Sequence, residues 1–433
     1  MKPQNLFTQP YKGARDFYPE EMRIRNYIFD TWKKVCTQYG YEEYDGPFLE
    51  SFDIYAAKSG EELVNEQLYS FVDRGKRKVA IRPEMTPTVA RMVSQKYKSL
   101  VFPTRWFSVA NFWRYEKPQK GRLREFFQIN IDIFGVSGIE ADFELISILV
   151  DIPRAFGAKE SMFEVRFGNR KFMEDIFTKF GISKEQATKT LKAIDKKTKI
   201  SDNEFKELLK EYAKLSQKQS DSLCQFLEDP MLLVEETKES AGAQEVTSLL
   251  KLLRASNLDK YVKFTPTVVR GLDYYTGTVY ELYDLNPQNP RSLAGGGRYD
   301  NLTEAFINEK IPATGFAMGD VTFKNFLENW NLLPSFKSVC EYLVTTWPEK
   351  DQKYLRASLE TAKILREKGK NTVVWLETDT KLEKQLKYAD KTNVNYAIII
   401  GERELTEKSI TIKDLKTQRQ ETKTLEKFLA ELS

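Results

Sequence analysis

The side chains best suited to chemistry are gathered between Phe112 and Gly135, in the stretch FWRYEKPQKGRLREFFQINIDIFG. Arg114, Lys117, Lys120, Arg122 and Arg124 crowd a short turn with Pro118 and Gly121. Guanidinium groups at that density suit phosphate oxygens, which they can grip in a bidentate fork. Directly after the turn, Phe127, Ile129, Ile131 and Ile133 alternate with Phe126, Gln128, Asn130 and Asp132. That is the period-two signature of a half-buried strand. One face is core, and the other sets amides and a carboxylate in a row beside an aromatic ring, a surface for a small polar ligand. Taken alone, the same residues also read as an ordinary basic hairpin.

Two further stretches carry chemistry-bearing types. Val79 to Ile81 is a strand candidate followed by Arg82, Pro83, Glu84, Met85, Thr86 and Pro87 and then a helix, which by itself is a capped strand-to-helix turn. Val268 to Tyr283, VVRGLDYYTGTVYELY, sets Arg270 near Tyr274 and Tyr275 and leads into Ala294, Gly295, Gly296, Gly297, Arg298, Tyr299 and Asp300. The arginine and tyrosines could form a structural network or face a ligand. Bare backbone over the glycines lets a substrate lie against a strand, and no GxxxxGK phosphate loop is present.

The chain contains no histidine. An imidazole general base, a Ser-His or Cys-His pair and a His-ligated metal are therefore excluded. What remains is chemistry by positioning and charge, from Arg, Glu, Asp and Tyr with Mg²⁺ as an aid.

The elements that position these residues follow from periodicity. Ile24, Tyr27, Ile28, Val35 and Tyr39 recur at helical spacing between Pro19 and Gly40, predicting a capped amphipathic helix over Glu20 to Tyr39. Tyr41 to Leu49 then reads as a short strand interrupted by Pro47, at an edge or interface. Near Gly168 the composition shifts: from Arg170 to Leu253 the chain is rich in Lys and Glu and carries Phe205, Leu208, Leu209 and Tyr212 at helical spacing. The lysines at 196, 197, 199, 206, 210, 214 and 218 read as a solvated helix face or as an RNA contact. Beyond Pro334, strands at Tyr342 to Thr345, Val373 to Leu376 and Tyr396 to Ile400 alternate with helices at Leu355 to Leu365 and Leu382 to Ala389. That order predicts a small α/β domain with a mostly parallel sheet.

A chain of 433 residues, 41% hydrophobic and 30% charged, suits two to three folded domains. Its N-terminus has no apolar signal core and no run reaches membrane-spanning length, so the expected place of work is the cytoplasm, with no membrane partner. Cys36, Cys224 and Cys340 are too far apart for a disulfide framework or a cysteine zinc site. The net charge of +4 permits an RNA partner without requiring one.

Phe112 to Glu116, the basic loop and the return strand resemble motif 2 of class II aminoacyl-tRNA synthetases, and the wording of the loop resembles the histidyl branch. Gly13 to Phe17 and the helix-strand-proline order after it are similar to that family's N-terminal phrase and its motif 1 dimer element. Arg270 to Tyr275 resembles the most diagnostic histidyl phrase, and Gly315 to Gly319 the start of motif 3. Residues 333 to 433, including Lys384, Gln385, Tyr388, Ala389 and the Gly401 to Arg403 turn, resemble the subgroup's anticodon-binding domain. The resemblance covers nearly the whole chain and implies an α+β fold. That fold is an antiparallel-sheet catalytic domain in two parts (1–168 and 259–332) around a helical insertion (169–258), followed by an α/β anticodon-binding domain (333–433).

The resemblance also implies roles. Histidine would attack the α-phosphorus of ATP to give an adenylate, which then esterifies tRNA(His). Arg114 and Arg270 would flank the α-phosphate as catalytic groups. Phe126 would stack on adenine, Glu116 would orient the loop and nucleotide, and Arg122 and Arg124 would hold phosphates. Glu84 and Thr86 would take the histidine ammonium, Gln128 its main-chain groups, and Asp132 and Tyr275 its ring nitrogens, with Arg270 and Tyr274 completing the site. Mg²⁺ would bridge phosphate oxygens, with no protein metal ligand assigned, and the chain would be a homodimer. One departure stands out: the motif 3 position that usually carries an arginine for the γ-phosphate is Thr322 here. The load then falls on Arg122 or Arg124, or activation is weaker. The alternative readings are a catalytically silent, histidine-sensing regulatory subunit of ATP phosphoribosyltransferase and a tRNA-binding regulator.

Overall fold

The alternation after Glu125 gives a long strand, and the rest of the first unit is laid out around it. The computed structural model describes residues 8–57, 63–194, 196–197, 200–268, 274–336, 338–348 and 351–432. Residues Met1–Leu333 and Pro334–Ser433 form separate compact units. In chain order the strands of the first unit are β1 (Glu42–Glu43), β2 (Leu49–Ser51), β3 (Ser70–Val72), β4 (Lys78–Ile81), β5 (Thr104–Trp113), β6 (Glu125–Phe134), β7 (Phe163–Asn169), β8 (Val262–Phe264), β9 (Thr278–Asp284), β10 (Ser292–Arg298) and β11 (Ala313–Gly319).

Among the described residues, eight of these strands form one sheet in the order β1-β5-β6-β11-β10-β9-β7-β8. Pairing is antiparallel from β5 through to β7, and β1 and β8 add in parallel at the two edges. A second, three-stranded sheet has the order β2-β4-β3. The single strand expected over Tyr41 to Leu49 is thus two pieces in different sheets. Glu42–Glu43 pairs with Trp106 and Phe107, whereas Leu49–Ser51 pairs with β4. Gly46 and Pro47 separate them, and a proline in the run removes the N–H that a continuous ladder requires.

The helix expected before β1 spans Pro19–Gln38, with proline in its first turn and Glu20 and Glu21 complementing the helix dipole. It buries Ile28, Trp32, Val35 and Cys36 against the core face of the sheet, where Ile129, Ile131 and Ile133 of β6 also point. Each large apolar side chain buried in this way contributes about 1.5–3 kcal/mol. The helix Ile139–Ala155 closes the same face with Leu145, Ile148, Leu149 and Ile152.

Between β7 and β8 the chain is helical from Arg170–Lys179 to Ala241–Ala255. Asn169 caps the first of these helices, and Ser201 and Ser216 form capping boxes with Glu204 and Gln219 further on. Phe205 and Leu209 of the expected apolar stripe are buried, while Tyr212 is exposed. Lys196, Lys206, Lys210, Lys214 and Lys218 are exposed and Lys197 half-buried; Lys199 lies outside the described residues. No helix among the described residues is long and apolar enough to cross a membrane.

In the second unit, β12 (Tyr342–Val344), β13 (Thr372–Val374), β14 (Tyr396–Ile399), β15 (Ser409–Asp414) and β16 (Gln420–Thr424) are ordered β13-β12-β14-β15-β16. The first three strands are parallel, joined by the helices Lys353–Glu367 and Leu382–Lys391. The last two pair antiparallel, so the sheet is mixed rather than mostly parallel. The reason is a tight turn at 415–419, where the Asp414 carboxylate accepts from the backbone N–H groups of Lys416 and Thr417. Gln385 is wholly buried, accepting from the Thr346 N–H and donating to the Thr346 and Thr380 carbonyls. Lys384 and Tyr388 on the same helix are exposed.

One ion pair locks the first unit together. Arg298, at the end of β10, donates to Asp142 at 2.6 Å and to the Val136 and Gly138 carbonyls at 2.8 and 2.7 Å. Both side chains are almost fully buried. Removing one partner of such a pair strands the other charge away from water. Asp142→Asn is expected to cost about 3 kcal/mol, read as a lowered guanidinium midpoint for the first unit's unfolding.

Candidate active site

The register of β6, β11 and β10 shapes the site. Asp132 lies opposite Gly315, which lies opposite Gly297; Asn130 lies opposite Ala317, and Ala317 opposite Gly295; Gln128 lies opposite Gly319. Toward β11, each polar side chain on the ligand-facing side of β6 therefore has bare backbone or a single methyl beside it. The row of polar groups looks across a low floor rather than into neighbouring side chains.

At the β5–β6 turn this floor opens into a cleft of about 190 Å³ lined by Arg114, Glu116, Arg122, Phe126 and Gln128 together with Gly295, Ala317 and Thr322. The Arg114 guanidinium donates to the Pro83 carbonyl at 3.0 Å and sits 5.3 Å from the centre of the Phe126 ring. Glu116 pairs with Arg122 at 3.3 Å. The helix Asp320–Asn329 begins at the rim, and its first residue accepts from Arg15 at 2.7 Å and from the Phe127 N–H at 2.9 Å. The Gly13 carbonyl accepts from the N–H groups of Arg124 and Glu125, so the N-terminal phrase braces the turn.

Further along β6 lies a second, more enclosed group. The Tyr274 hydroxyl donates to Glu84 at 3.5 Å, the Tyr274 ring meets the Tyr299 ring at 5.9 Å, and the Tyr299 hydroxyl donates to Asp132. Glu84, Asp132, Tyr275 and Tyr299 are all buried. Burial pushes the Asp132 carboxyl up to about 7, against the hydrogen bond from Tyr299, which lowers it. Tyr275 packs on Tyr274 at 4.8 Å. The hydroxyl that reaches Asp132 is that of Tyr299 rather than that of Tyr275. Thr86 opens the helix Thr86–Lys96 two residues after Glu84 and is half-buried.

Three buried polar atoms around this group have no hydrogen-bond partner among the described residues: Tyr44 Oη, Ser108 Oγ and Asn130 Nδ2. Ser108 and Asn130 face each other across β5 and β6. Burial, reinforced by the charge of Asp132, holds the Tyr44 proton in place. Buried polar groups are normally satisfied, so these atoms mark a place for a polar ligand or water.

The structure thus gathers Arg114, Glu116, Arg122, Phe126 and Gln128 in the cleft, and Glu84, Asp132, Tyr274 and Tyr275 in the pocket beside it. It does not bring Arg124 into the cleft. The Arg124 guanidinium donates to the Tyr11 hydroxyl at 2.7 Å and to the Glu116 carbonyl at 3.2 Å, and lies 4.0 Å from the Tyr115 ring centre. Arg270 lies outside the described residues. Tyr44, Ser108 and Tyr299 were not singled out from the sequence. For Tyr299 a signal existed: 295, 297 and 299 continue one alternation, so the tyrosine points the way the bare glycines do.

A model of the histidyl-tRNA synthetase family matches residues 13–320. The histidine--tRNA ligase of Leptospira biflexa is 43% identical over 443 residues, covering all of both chains. The chain belongs to the histidyl-tRNA synthetase family. The histidine--tRNA ligase of Thermoplasma volcanium is 39% identical over 96% of both chains, and an anticodon-binding-domain model matches residues 342–433. Among solved structures, the histidyl-tRNA synthetase of a Nostoc species superposes with a TM-score of 0.82 over 99% of both chains at 24% identity, which shows a shared synthetase fold. A Bacillus halodurans protein described as an ATP phosphoribosyltransferase regulatory subunit/histidyl-tRNA synthetase superposes at 0.74 over 89% of this chain and 97% of its own, at 23% identity.

In this family member the bare floor has little tolerance. A Cβ on Gly315 would lie 2.0 Å from the Asp132 carboxylate and 2.7 Å from the Ile131 carbonyl. Gly315→Ala is expected to lower stability by about 1–3 kcal/mol through overpacking against Asp132, read by chemical denaturation.

Proposed function

We propose that the cleft binds ATP, that the enclosed pocket beside it binds histidine, and that the chain joins the two as histidyl-adenylate before passing the histidyl group to tRNA(His). The observation that carries this reading is the row on β6. It runs from an arginine-lined cleft at Phe126 to a buried carboxylate at Asp132, over a floor of glycine and alanine. The ligases among the relatives, and the anticodon-binding match at 342–433, favour this activity over a regulatory subunit.

In the first step a carboxylate oxygen of histidine attacks the α-phosphorus of ATP and pyrophosphate leaves. In the second, a ribose hydroxyl at the tRNA terminus attacks the adenylate carbonyl and AMP leaves. Neither step requires a protein nucleophile, in keeping with a chain that has no histidine. The protein's part is to hold the reactants in line and to stabilise charge on the phosphorus as it develops. Arg114 is placed for that role, with its Nε anchored on Pro83, and Arg270 is assigned beside it. Phe126 stacks on adenine and Glu116 orients the nucleotide through its contact with Arg122. Arg124, already engaged by two tyrosines, supports the loop rather than the phosphates.

Mg²⁺ arrives on the nucleotide. Among the described residues no cluster of three or more acidic or thiol side chains could hold an ion. The cleft's own carboxylates, Glu116 and Asp320, are each paired with an arginine. Mg²⁺ commonly binds through substrate phosphates with few protein ligands, so the residues present suit a metal carried in this way. It would neutralise phosphate charge.

For the amino acid, Glu84 and Thr86 take the ammonium, Gln128 the main-chain groups, and Asp132, oriented by Tyr299, accepts from a ring N–H. Tyr274 and Tyr275 wall the ring. A site built around such a bond rejects analogues lacking the donor by roughly 10⁴ to 10⁵. The chain works in the cytoplasm as a homodimer; exposed Phe48, Leu49, Phe71 and Val72 along the small sheet support self-association.

Histidine-dependent ATP–pyrophosphate exchange tests the reading. Exchange is expected from the purified chain, whereas histidine binding without exchange would favour the regulatory alternative. The pocket adds a pH signature. Below about 7 the Asp132 carboxyl carries a proton, and its bond to the ring loses the charge that strengthens it. Histidine kcat/KM should therefore fall as pH drops through that value, beyond what the ligand's own titration near ~6.5 explains. Asp132→Asn should flatten this limb and lower kcat/KM by about 10- to 100-fold. Tyr299→Phe, which removes the hydroxyl that lowers the carboxyl's pKa, should move the inflection upward.

A further inference from the structure

Arg291 stands at the cleft with no role in the account above. It immediately precedes β10, whose first residues Ser292, Leu293 and Ala294 line the opening. Its side chain is half-buried, and among the described residues no hydrogen bond or ion pair engages its guanidinium. An arginine half withdrawn from water without a partner is costly unless something else supplies negative charge.

The tip of the basic turn fixes where this side chain lies. Gly121 has φ +79°, a conformation that favours glycine. A Cβ built there would be 3.2 Å from Arg291 Cδ, 3.7 Å from Arg291 Nε and 3.4 Å from Thr322 Cγ2. One point at the tip of the turn thus has both the Arg291 stem and the Thr322 methyl within van der Waals reach. The next residue along the turn is Arg122. Burial, and then the charge of Arg122, hold the Arg291 pKa below its usual value, while Glu116 acts the other way. Arg122 is therefore close enough for the two cations to repel, and its one ion-pair partner, Glu116, carries a single charge. Two neighbouring guanidiniums with one nearby carboxylate suit a multiply charged anion, and planar forks match phosphate oxygens.

We propose that Arg291 binds the terminal phosphates of ATP together with Arg122, supplying a second positive charge on the side of the cleft where the neutral Thr322 stands. This assignment rests on the reading of the cleft as an ATP site. The phosphates concerned are those that leave as pyrophosphate. Arg291 therefore acts on ATP capture and on the leaving group, and has no part in recognising adenine or histidine.

The test compares ATP with AMP, which has the same base and sugar but no terminal phosphates. Calorimetry on the full-length chain should show ATP affinity reduced by about 10- to 100-fold in Arg291→Ala, the range for losing a charge-assisted bond, with AMP affinity unchanged. In the exchange assay the KM for ATP should rise while the KM for histidine stays as in the parent. Arg291→Gln, which keeps the packing of the stem, should show the same split if the alanine variant proves unstable on thermal unfolding. Adding Thr322→Arg to Arg291→Ala should recover ATP affinity, since position 322 borders the same point. An ATP effect below about twofold, an equal loss of AMP, or no recovery in the double variant would each overturn the assignment. Failure of the parent chain to catalyse exchange would instead overturn the proposed function, and the ATP-versus-AMP comparison would still report on Arg291.

Discussion

The site depends on keeping β10 and β11 bare on the face where β6 carries its polar row, while all three strands carry core on the other. On the packed side, Ile129 and Ile131 of β6, Phe316 and Met318 of β11 and Ala294 of β10 belong to one apolar cluster. On the ligand side, the register sets Gly315, Ala317 and Gly319 beside Asp132, Asn130 and Gln128, with Gly297 and Gly295 one strand further on. Because side chains alternate with period two, shifting β11 by one residue would turn Phe316 and Met318 into the ligand space and bury the polar row against apolar groups. Core packing and the ligand floor are thus specified by the same register. Strands this poor in side chains have little intrinsic stability, and they hold because β6 and β9 pair along their outer edges.

Charge is distributed along this floor with a clear division. At the open end, Arg114 and Arg122 line the cleft and Arg291 directly precedes its lining residue Ser292, and water there limits the cost of cations near one another. At the enclosed end, the Asp132 carboxyl is buried against Tyr299 and raised toward neutrality, with Glu84 also buried, against Tyr274. The buried Arg298–Asp142 pair lies at the far end of β10 and keeps the strand's exit fixed on the helix Ile139–Ala155. The same strand therefore carries structural charge at one end and, next to Ser292, ligand-facing charge at the other.

Much of this was legible in the chain, for reasons that differ by element. The β6 alternation specified both faces because ten residues in strict period leave no other reading. The helix before β1 followed from its proline and apolar stripe, and the parallel part of the second unit from the alternation of strand and helix. Where reading failed, the cause was spatial. The run from Tyr41 to Leu49 shows no sign that its halves join different sheets, since that depends on partners 30 to 60 residues away. β15 and β16 have no clear sequence signal because Lys413, Glu421 and Lys423 break up the apolar alternation and give the run the look of a polar tail. Arg124 and Arg122 are two residues apart in one basic turn, and only the fold shows that tyrosines take up the first. Arg291 sits among Asn, Pro and Gln, where an arginine reads as loop solvation until the fold brings its stem up to Gly121 at the tip of the basic turn.

The helical block between β7 and β8 has a consequence for how this architecture can vary. The two strands lie side by side and parallel, so the chain must cross over between them, and such a crossover takes at least a dozen residues. The helices Arg170–Lys179 and Ala241–Ala255 make that crossing and are stitched together at Gly242, where a Cβ would come within 2.2 Å of the Phe172 nitrogen. Phe172 in turn rests on Phe226 from the helices between them. The stitched pair is therefore part of the sheet's own architecture, whereas the middle helices are fastened to that pair, through Phe226 on Phe172 and the Lys179–Glu236 ion pair. A change of length among the middle helices can therefore leave the strand pairing on either side of the crossover in place.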